Sequence, residues 1–272
     1  MVAILMATYN GGYFIKEQID SILCQIYTDW KLFIKDDGSS DNTLNIIEEY
    51  ALKYPQKITL FRSKEHLGAA KNFMFLLEHV SADYYMFSDQ DDIWMSDKVS
   101  ESVKHIESIE CICKKRPILI HSDLEVVDVD KNTIYPSFYK ANGLYSILQN
   151  PDYLKCVNYT TGCTFIFNNE TRNICVPMPS YSIMHDYWIA MCVYKNDGII
   201  SFVDSPTIKY RQHGNNVVGY KGSLSFIDRL FNIKETIKNH VEYYKMSNKY
   251  LGVKLYMYII CLVKLKIKLG HI

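Results

Sequence analysis

The stretch Phe87-Ser88-Asp89-Gln90-Asp91-Asp92-Ile93-Trp94 brings three carboxylates within four residues. It follows the apolar run Tyr84-Tyr85-Met86-Phe87, which reads as a buried strand. Carboxylates delivered together at a strand end repel one another. That repulsion raises one of their pKa values unless a cation lies among them. A hard divalent ion, Mg²⁺ or Mn²⁺, answers this pattern, because it prefers oxygen ligands and often shares them with substrate phosphates. The plain alternative is an acidic turn that caps a helix starting near Ser96. A lone D-x-D does not separate the two.

The elements that must position these residues are legible over the first 110 positions. Val2 to Ala7 is a short apolar run, and Ile15, Ile19, Ile22 and Ile26 follow at helical spacing. Leu32-Phe33-Ile34 is a second strand, ended by Asp36-Asp37-Gly38. Leu44, Ile47, Ala51 and Tyr54 mark a second helix with Asp41 as N-cap. Ile58 to Phe61 is a third strand, and Phe73, Leu76, Leu77 and Val80 mark a third helix. Val99, Val103 and Ile106 mark a fourth. Strand-helix alternation with short connections predicts an α/β fold, a mostly parallel sheet with helices on both faces. Ligands of such sheets bind at the carboxyl ends of the strands. Thr8-Tyr9-Asn10, Asp36-Asp37 and Asp89 to Asp92 should therefore share one rim. No G-x-G-x-x-G follows the first strand, and no G-x-x-x-x-G-K-[ST] occurs. A rim of carboxylates without a glycine cradle suits a nucleotide held by base, ribose and metal-bound pyrophosphate.

After Arg116 the pattern loosens. Ile118 to Ile120 and Glu125 to Val129 are strand candidates, residues 131–160 read as an irregular substrate-facing region, and Cys163 to Phe167 is another strand. Met184-His185-Asp186-Tyr187-Trp188 opens a helix through about Tyr194, and strands follow at Ile199 to Val203 and Thr207 to Tyr210.

With 272 residues the chain can bury a sizeable core, as one large or two small domains. Thirty basic and thirty acidic residues cancel, so no global field points to nucleic acid. None of the eight cysteines forms a C-x-x-C pair, which points to free thiols rather than zinc or a disulfide framework. The apolar N-terminus lacks a basic leader and meets Asn10-Gly11-Gly12 at once, so it reads as a first strand, not a signal peptide.

In this order, A-T-Y-N-G (7–11), K-D-D-G-S-S-D-N-T (35–43), F-S-D-Q-D-D-I-W (87–94), T-G-C (161–163), M-H-D-Y-W (184–188) and Y-R-Q-H-G-N-N (210–216) resemble the inverting family-2 glycosyltransferases. The resemblance spans roughly residues 2–218 and implies a GT-A fold. The S-D-Q-D-D-I-W and R-Q-H-x-N-N forms are most similar to bacterial cell-wall and capsule rhamnosyltransferases, which use a dTDP-rhamnose donor and a lipid-carried acceptor. It implies a catalytic domain over 1–220, with a nucleotide-sugar half (1–110) and an acceptor half (111–220). By the same resemblance, Thr8, Tyr9, Asp37, Lys71 and Asp89 hold the nucleotide. Asp89, Asp91 and His213 hold the metal. Arg211, His213, Asp92 and Gly162 lie by the diphosphate and donor sugar, Asp186 is the general base, and Tyr187 and Trp188 face the acceptor. The residues alone leave other readings open. Asp36 or Asp41 pins the turn around Gly38, Asp186 could be a helix N-cap, His185 reads as structural, and Trp94 and Trp188 suit packing as well as sugar platforms.

Residues 221–272 form a helical, basic extension. From Lys245 onward every charged residue is a lysine, and Leu255 to Val263 is an apolar run too short to span a bilayer. This suits a cytoplasmic enzyme held at the inner membrane surface; packing on the domain or a homodimer contact is the alternative. The competing functions are transfer of another sugar (glucose, galactose or N-acetylhexosamine from a UDP donor), a nucleotidyl or phosphoryl transferase, which should carry a basic glycine-rich loop, and a degenerate scaffold module, which has no need of Asp89, Asp91, Asp186 and His213 together.

Overall fold

The computed structural model describes residues 1–62, 66–213 and 233–270. The motif residues Gly214, Asn215 and Asn216 lie outside them.

Among the described residues, one nine-stranded sheet organises the fold. Its first half is β1 (Val2–Thr8), β2 (Trp30–Asp36), β3 (Ile58–Phe61) and β4 (Tyr84–Ser88), in the spatial order β3-β2-β1-β4. All three pairings here are parallel. The helices between them are α1 (Ile15–Leu23), α2 (Thr43–Lys53) and α3 (Ala69–His79). β1 lies between β2 and β4, so the order reverses there and a crevice opens at the carboxyl ends of β1 and β4.

β1 shows why the sheet is covered on both faces. Val2, Ile4 and Met6 point into one core with Ile15, Ile19 and Ile22 of α1 and Val99 and Ile106 of α4 (Lys98–Glu110). Ala3 and Leu5 point into the other with Phe73 and Leu77 of α3. Two-sided burial is what a continuous apolar run encodes. Ile26 departs from the expectation: it lies beyond α1 and is exposed.

The second half is mixed. A short β5 (Ile93–Trp94) follows the acidic cluster, so that cluster does not cap α4, whose N-cap is Asp97. The two strands expected around 118–129 are one, β6 (Ile118–Val127). Its polar middle is buried because its groups are paired. Ser122 meets Thr207, and Asp123 accepts from Ser137, Tyr145 and the Tyr139 amide. The two strands expected at 199–210 are likewise one, β9 (Ile199–Arg211), which runs parallel to β6 through register shifts at Asp123. β7 (Thr133–Tyr135) is an edge hairpin on β6, and a short α5 (Phe138–Ala141) follows it. The strand expected from Cys163 is a 3-10 turn, Gly162–Thr164, and only then β8 (Ile166–Asn168), which joins β4 to β6 antiparallel to both. Asn168 caps α6 (Asn169–Cys175), a helix the periodicity did not show. α7 (His185–Lys195) opens as expected. The extension folds as α8 (Ile233–Leu251) and α9 (Leu255–Lys268), with Gly252 at φ +71° in the break.

Candidate active site

The rim residues converge at the crevice. Gln90 joins the first and third motifs: its amide accepts from the Tyr9 N–H and donates to the Tyr9 carbonyl, each at 2.9 Å. Gly11 makes room for it, since a Cβ there would lie 2.2 Å from Gln90 Oε1.

At the end of β2 the carboxylates are fully used. Asp36 accepts from the Thr8 and Ser39 hydroxyls and from the Gly38 and Ser39 amides. It pins the turn at Gly38, where φ is +84°. Asp41 closes the next turn, accepting from Gly12 and Thr43. Asp37 accepts from the Leu67 and Gly68 amides at 2.7 and 2.8 Å. His66 stands 3.0 Å from it and 4.7 Å, ring to ring, from the half-exposed Tyr9. Burial pushes the Asp37 pKa up. The Asn72 amide beside it, the two backbone amides and His66 outweigh that and hold it below its ordinary value. Tyr9 and His66 thus stand exposed beside the buried carboxylate of Asp37.

At the end of β4 the carboxylates are left wanting. Burial first, then Asp91 and Asp186, push Asp89 up to about 7. Asp92 is fully buried, neither of its oxygens has an ordinary hydrogen bond, and burial with Asp91 and Asp89 raises it well above the carboxylate range. Ligand atoms of Asp89, Asp92 and Cys163 lie within 4.8 Å of one another. Behind them Lys98 is fully buried and is pushed down to about 8 by desolvation, against the pull of Cys163 and Asp92. Asp91, mostly covered, meets His213 Nε2 at 2.7 Å. His213 stacks on Phe14 at 4.5 Å. Crowded carboxylates, unsatisfied Asp92 oxygens and an imidazole fit a hard divalent cation.

Asp186 completes the site. It is the second residue of α7, not its N-cap, and accepts the Tyr187 N–H at 2.6 Å. Burial raises it to about 6 against the hydrogen bonds of Tyr187, Asn158 and Gly162. Gly162 packs on it: a Cβ there would stand 3.1 Å from the Asp186 Cβ. A half-buried carboxylate near 6 is suited to taking a proton near neutrality. His185 stacks on Phe73 at 4.4 Å and is held neutral by burial at about 3, in a structural place.

Several sequence expectations need correction. Thr8 is buried and its hydroxyl is bound to Asp36, so it braces the turn rather than facing a nucleotide. Lys71, by contrast, is exposed on α3, a place compatible with the expected nucleotide contact, and its neighbour Asn72 lies beside Asp37. Arg211 is buried, with donors to the Asp91 and Val129 carbonyls and to Glu17, so it supports the acidic loop from behind. Tyr187 and Trp188 are core residues: Tyr187 donates to the Leu154 carbonyl and Trp188 to that of Cys175. Neither faces an acceptor. Gln90, Phe14, His66, Asn72, Cys163 and Lys98 were not singled out. Only Gln90 inside the acidic motif and Cys163 inside T-G-C offered a signal.

The family model described as glycosyl transferase family 2 matches residues 3–170. A dTDP-rhamnosyl transferase, RfbG of Shigella flexneri, is 33% identical over 238 residues, 79% of this chain and 73% of that protein. An Escherichia coli UDP-Glc:alpha-D-GlcNAc-diphosphoundecaprenol beta-1,3-glucosyltransferase, WfgD, is 27% identical over 73% of this chain and 72% of its own. Some other relatives match over less than half of their own length. Among solved structures, the Pyrobaculum calidifontis mannosyltransferase PcManGT with GDP-Man and Mn²⁺ superposes at TM-score 0.61 and 17% identity. It covers 97% of this chain and 74% of that one, and shares the GT-A fold. On the family match and the 33% identical relative, the chain belongs to glycosyl transferase family 2.

Proposed function

We propose that this glycosyltransferase moves a sugar, with inversion, from a nucleotide-sugar donor to a lipid-linked glycan in bacterial surface polysaccharide synthesis. The carrying observation is Asp186: a carboxylate raised to about 6, seated at the start of α7 and close enough to Asp89 to raise its pKa. A single displacement at the anomeric carbon needs one base and no covalent nucleophile. Asp186 takes the proton of the acceptor hydroxyl as its oxygen bonds to the anomeric carbon. The nucleoside diphosphate leaves from the opposite face. Asp91, Asp89 and His213 are the residues that would hold Mg²⁺ or Mn²⁺, with the buried Asp92 behind them. When bound, such an ion offsets charge on the leaving diphosphate. Tyr9, His66 and Asp37 take the base and ribose. Arg211 keeps the acidic loop in place through the Asp91 carbonyl.

The best donor is dTDP-L-rhamnose, on the rhamnosyl relative. A UDP-hexose is the second reading, favoured by the glucosyl relative whose name also gives a diphosphoundecaprenol acceptor. A panel of dTDP- and UDP-sugars tested by thermal shift and transfer separates them. Stabilisation by dTDP-rhamnose alone supports the first, and stabilisation by UDP-sugars alone the second. NMR of the product must show the anomeric configuration opposite to the donor's. A retained configuration removes Asp186 as base of a single displacement.

A further inference from the structure

α9 has two faces of opposite fate. Tyr258 and Leu265 are buried against the domain, with the Tyr258 hydroxyl 3.0 Å from His240 Nδ1. The seat of α9 includes the 3-10 turn Pro151–Lys155 and α8. The other face carries Leu255, Ile259, Val263 and Ile267 in an i,i+4 row, with Tyr256 and Ile260 beside it. These six residues are 44% to 59% exposed. A continuous row of long apolar side chains in water marks a contact surface rather than ordinary surface scatter.

Charge decides what it contacts. The chain holds no acidic residue after Glu242, while Lys254, Lys264, Lys266 and Lys268 are carried on or next to α9. A second copy docked face to face would set these lysines against one another. An anionic bilayer surface satisfies both features: phosphate meets the lysines, and acyl chains take the apolar row. Fourteen residues of helix span about 21 Å, less than the roughly 30 Å of a hydrocarbon core. No helix among the described residues is long and apolar enough to cross a membrane. α9 would therefore lie along the interface.

We infer that α9 docks the enzyme on anionic lipid through the Leu255–Ile267 row, with the flanking lysines on headgroup phosphate. Docking also orients the site. The turn Pro151–Lys155 that seats α9 accepts the hydroxyl of Tyr187, the residue next to Asp186. The lipid-facing helix and the proposed base share one buttress. The use of this arrangement for a lipid-linked acceptor rests on the proposed function; the lipid contact itself does not.

The test is flotation of the full chain with phosphatidylcholine vesicles and with vesicles containing phosphatidylglycerol, without any donor. The wild type should float with the anionic vesicles only, and high salt should release it. Ile259→Glu/Val263→Glu, two exposed positions, should lose binding at least tenfold with an unchanged melting temperature and unchanged transfer to a water-soluble acceptor. Lys264→Gln/Lys268→Gln should weaken binding about fivefold per lysine. Equal flotation of wild type and Ile259→Glu/Val263→Glu overturns the inference. So does a concentration-dependent dimer that the same pair abolishes while no vesicle binds, which would make the face a homodimer contact. Vesicle binding retained in a chain inactive on every donor leaves this inference standing and fails the proposed function instead.

Discussion

The rim carries two groups of carboxylates in opposite states. At the end of β2, Asp36 and Asp37 are met by hydroxyls and backbone amides, and Asp37 is held below its usual pKa. At the end of β4, Asp89 and Asp92 are raised by burial and by the carboxylates around them, and at the start of α7 Asp186 is raised by burial against its own hydrogen bonds. The same side chain on the same rim is thus met by the protein's own donors in one place and raised by burial in the other. The difference locates chemistry: a carboxylate whose charge the surrounding protein does not offset is one that a ligand, metal or acceptor can satisfy.

The sharpest way to break this contrast is to remove the demand. Asp186→Asn keeps shape and hydrogen bonding but cannot take a proton. Transfer should fall by about 10³-fold while calorimetry shows donor affinity unchanged. Unaltered turnover would remove Asp186 from the reaction. In the wild type the base must be ionised, so the rate should rise with pH through about 6 and then level. Asp91→Ala removes the carboxylate that faces His213. The Mn²⁺-dependent part of nucleoside diphosphate binding should weaken by about 10²-fold. Identical wild-type affinity with and without Mn²⁺ would defeat the metal assignment. On the finished side, Asp36→Ala strands four donors around Gly38. It should cost about 2–3 kcal/mol in urea unfolding. A loss below about 0.5 kcal/mol would mean that the turn holds without it.

The two halves were unequally legible in the sequence. β1 to β4 are buried on both faces, so each leaves an apolar run bounded by polar rim residues, and their helices show a clean 3.6-residue period. β6 and β9 hide polar residues inside: Ser122, Asp123 and Thr207 look like a loop until their partners are known. Those partners lie up to 85 residues away, a spacing no local pattern encodes. The site divides in the same way. Asp89, Asp91, Asp186 and His213 announce themselves by type and order. Lys98 and Asn72 matter only because folding puts them behind Asp92 and beside Asp37. Tyr187 and Trp188 are harder to read, because aromatic residues next to a proposed base suit an acceptor site as well as a core. The helical turn sends both inward.

The smallest expected effect is also the most direct probe of the contrast, because it reads stability and not activity. Asp89 holds its proton up to about pH 7 in the fold, whereas an unfolded chain releases it near 4. Below pH ~4 both states are protonated and the carboxyl costs nothing. Between ~4 and ~7 the folded state binds more protons than the unfolded one, so raising the pH lowers stability. Above ~7 the penalty is complete. Asp89→Asn removes it; solvent reaching this half-buried group screens most of the roughly 4 kcal/mol that three pH units would give, so in chelator-treated buffer at pH 8 the variant should melt about 2–4 °C higher than wild type, a gain of about 1 kcal/mol. The gain should vanish below pH ~4, and Mn²⁺ should shrink it by stabilising the wild type alone. Asp37→Asn should do the reverse, since its carboxylate is favoured in the fold: the variant loses stability at pH 8 and the loss fades on acidification. If both variants move in the same direction, the rim carries one kind of carboxylate, and the unsatisfied charge at β4 is not what draws the metal.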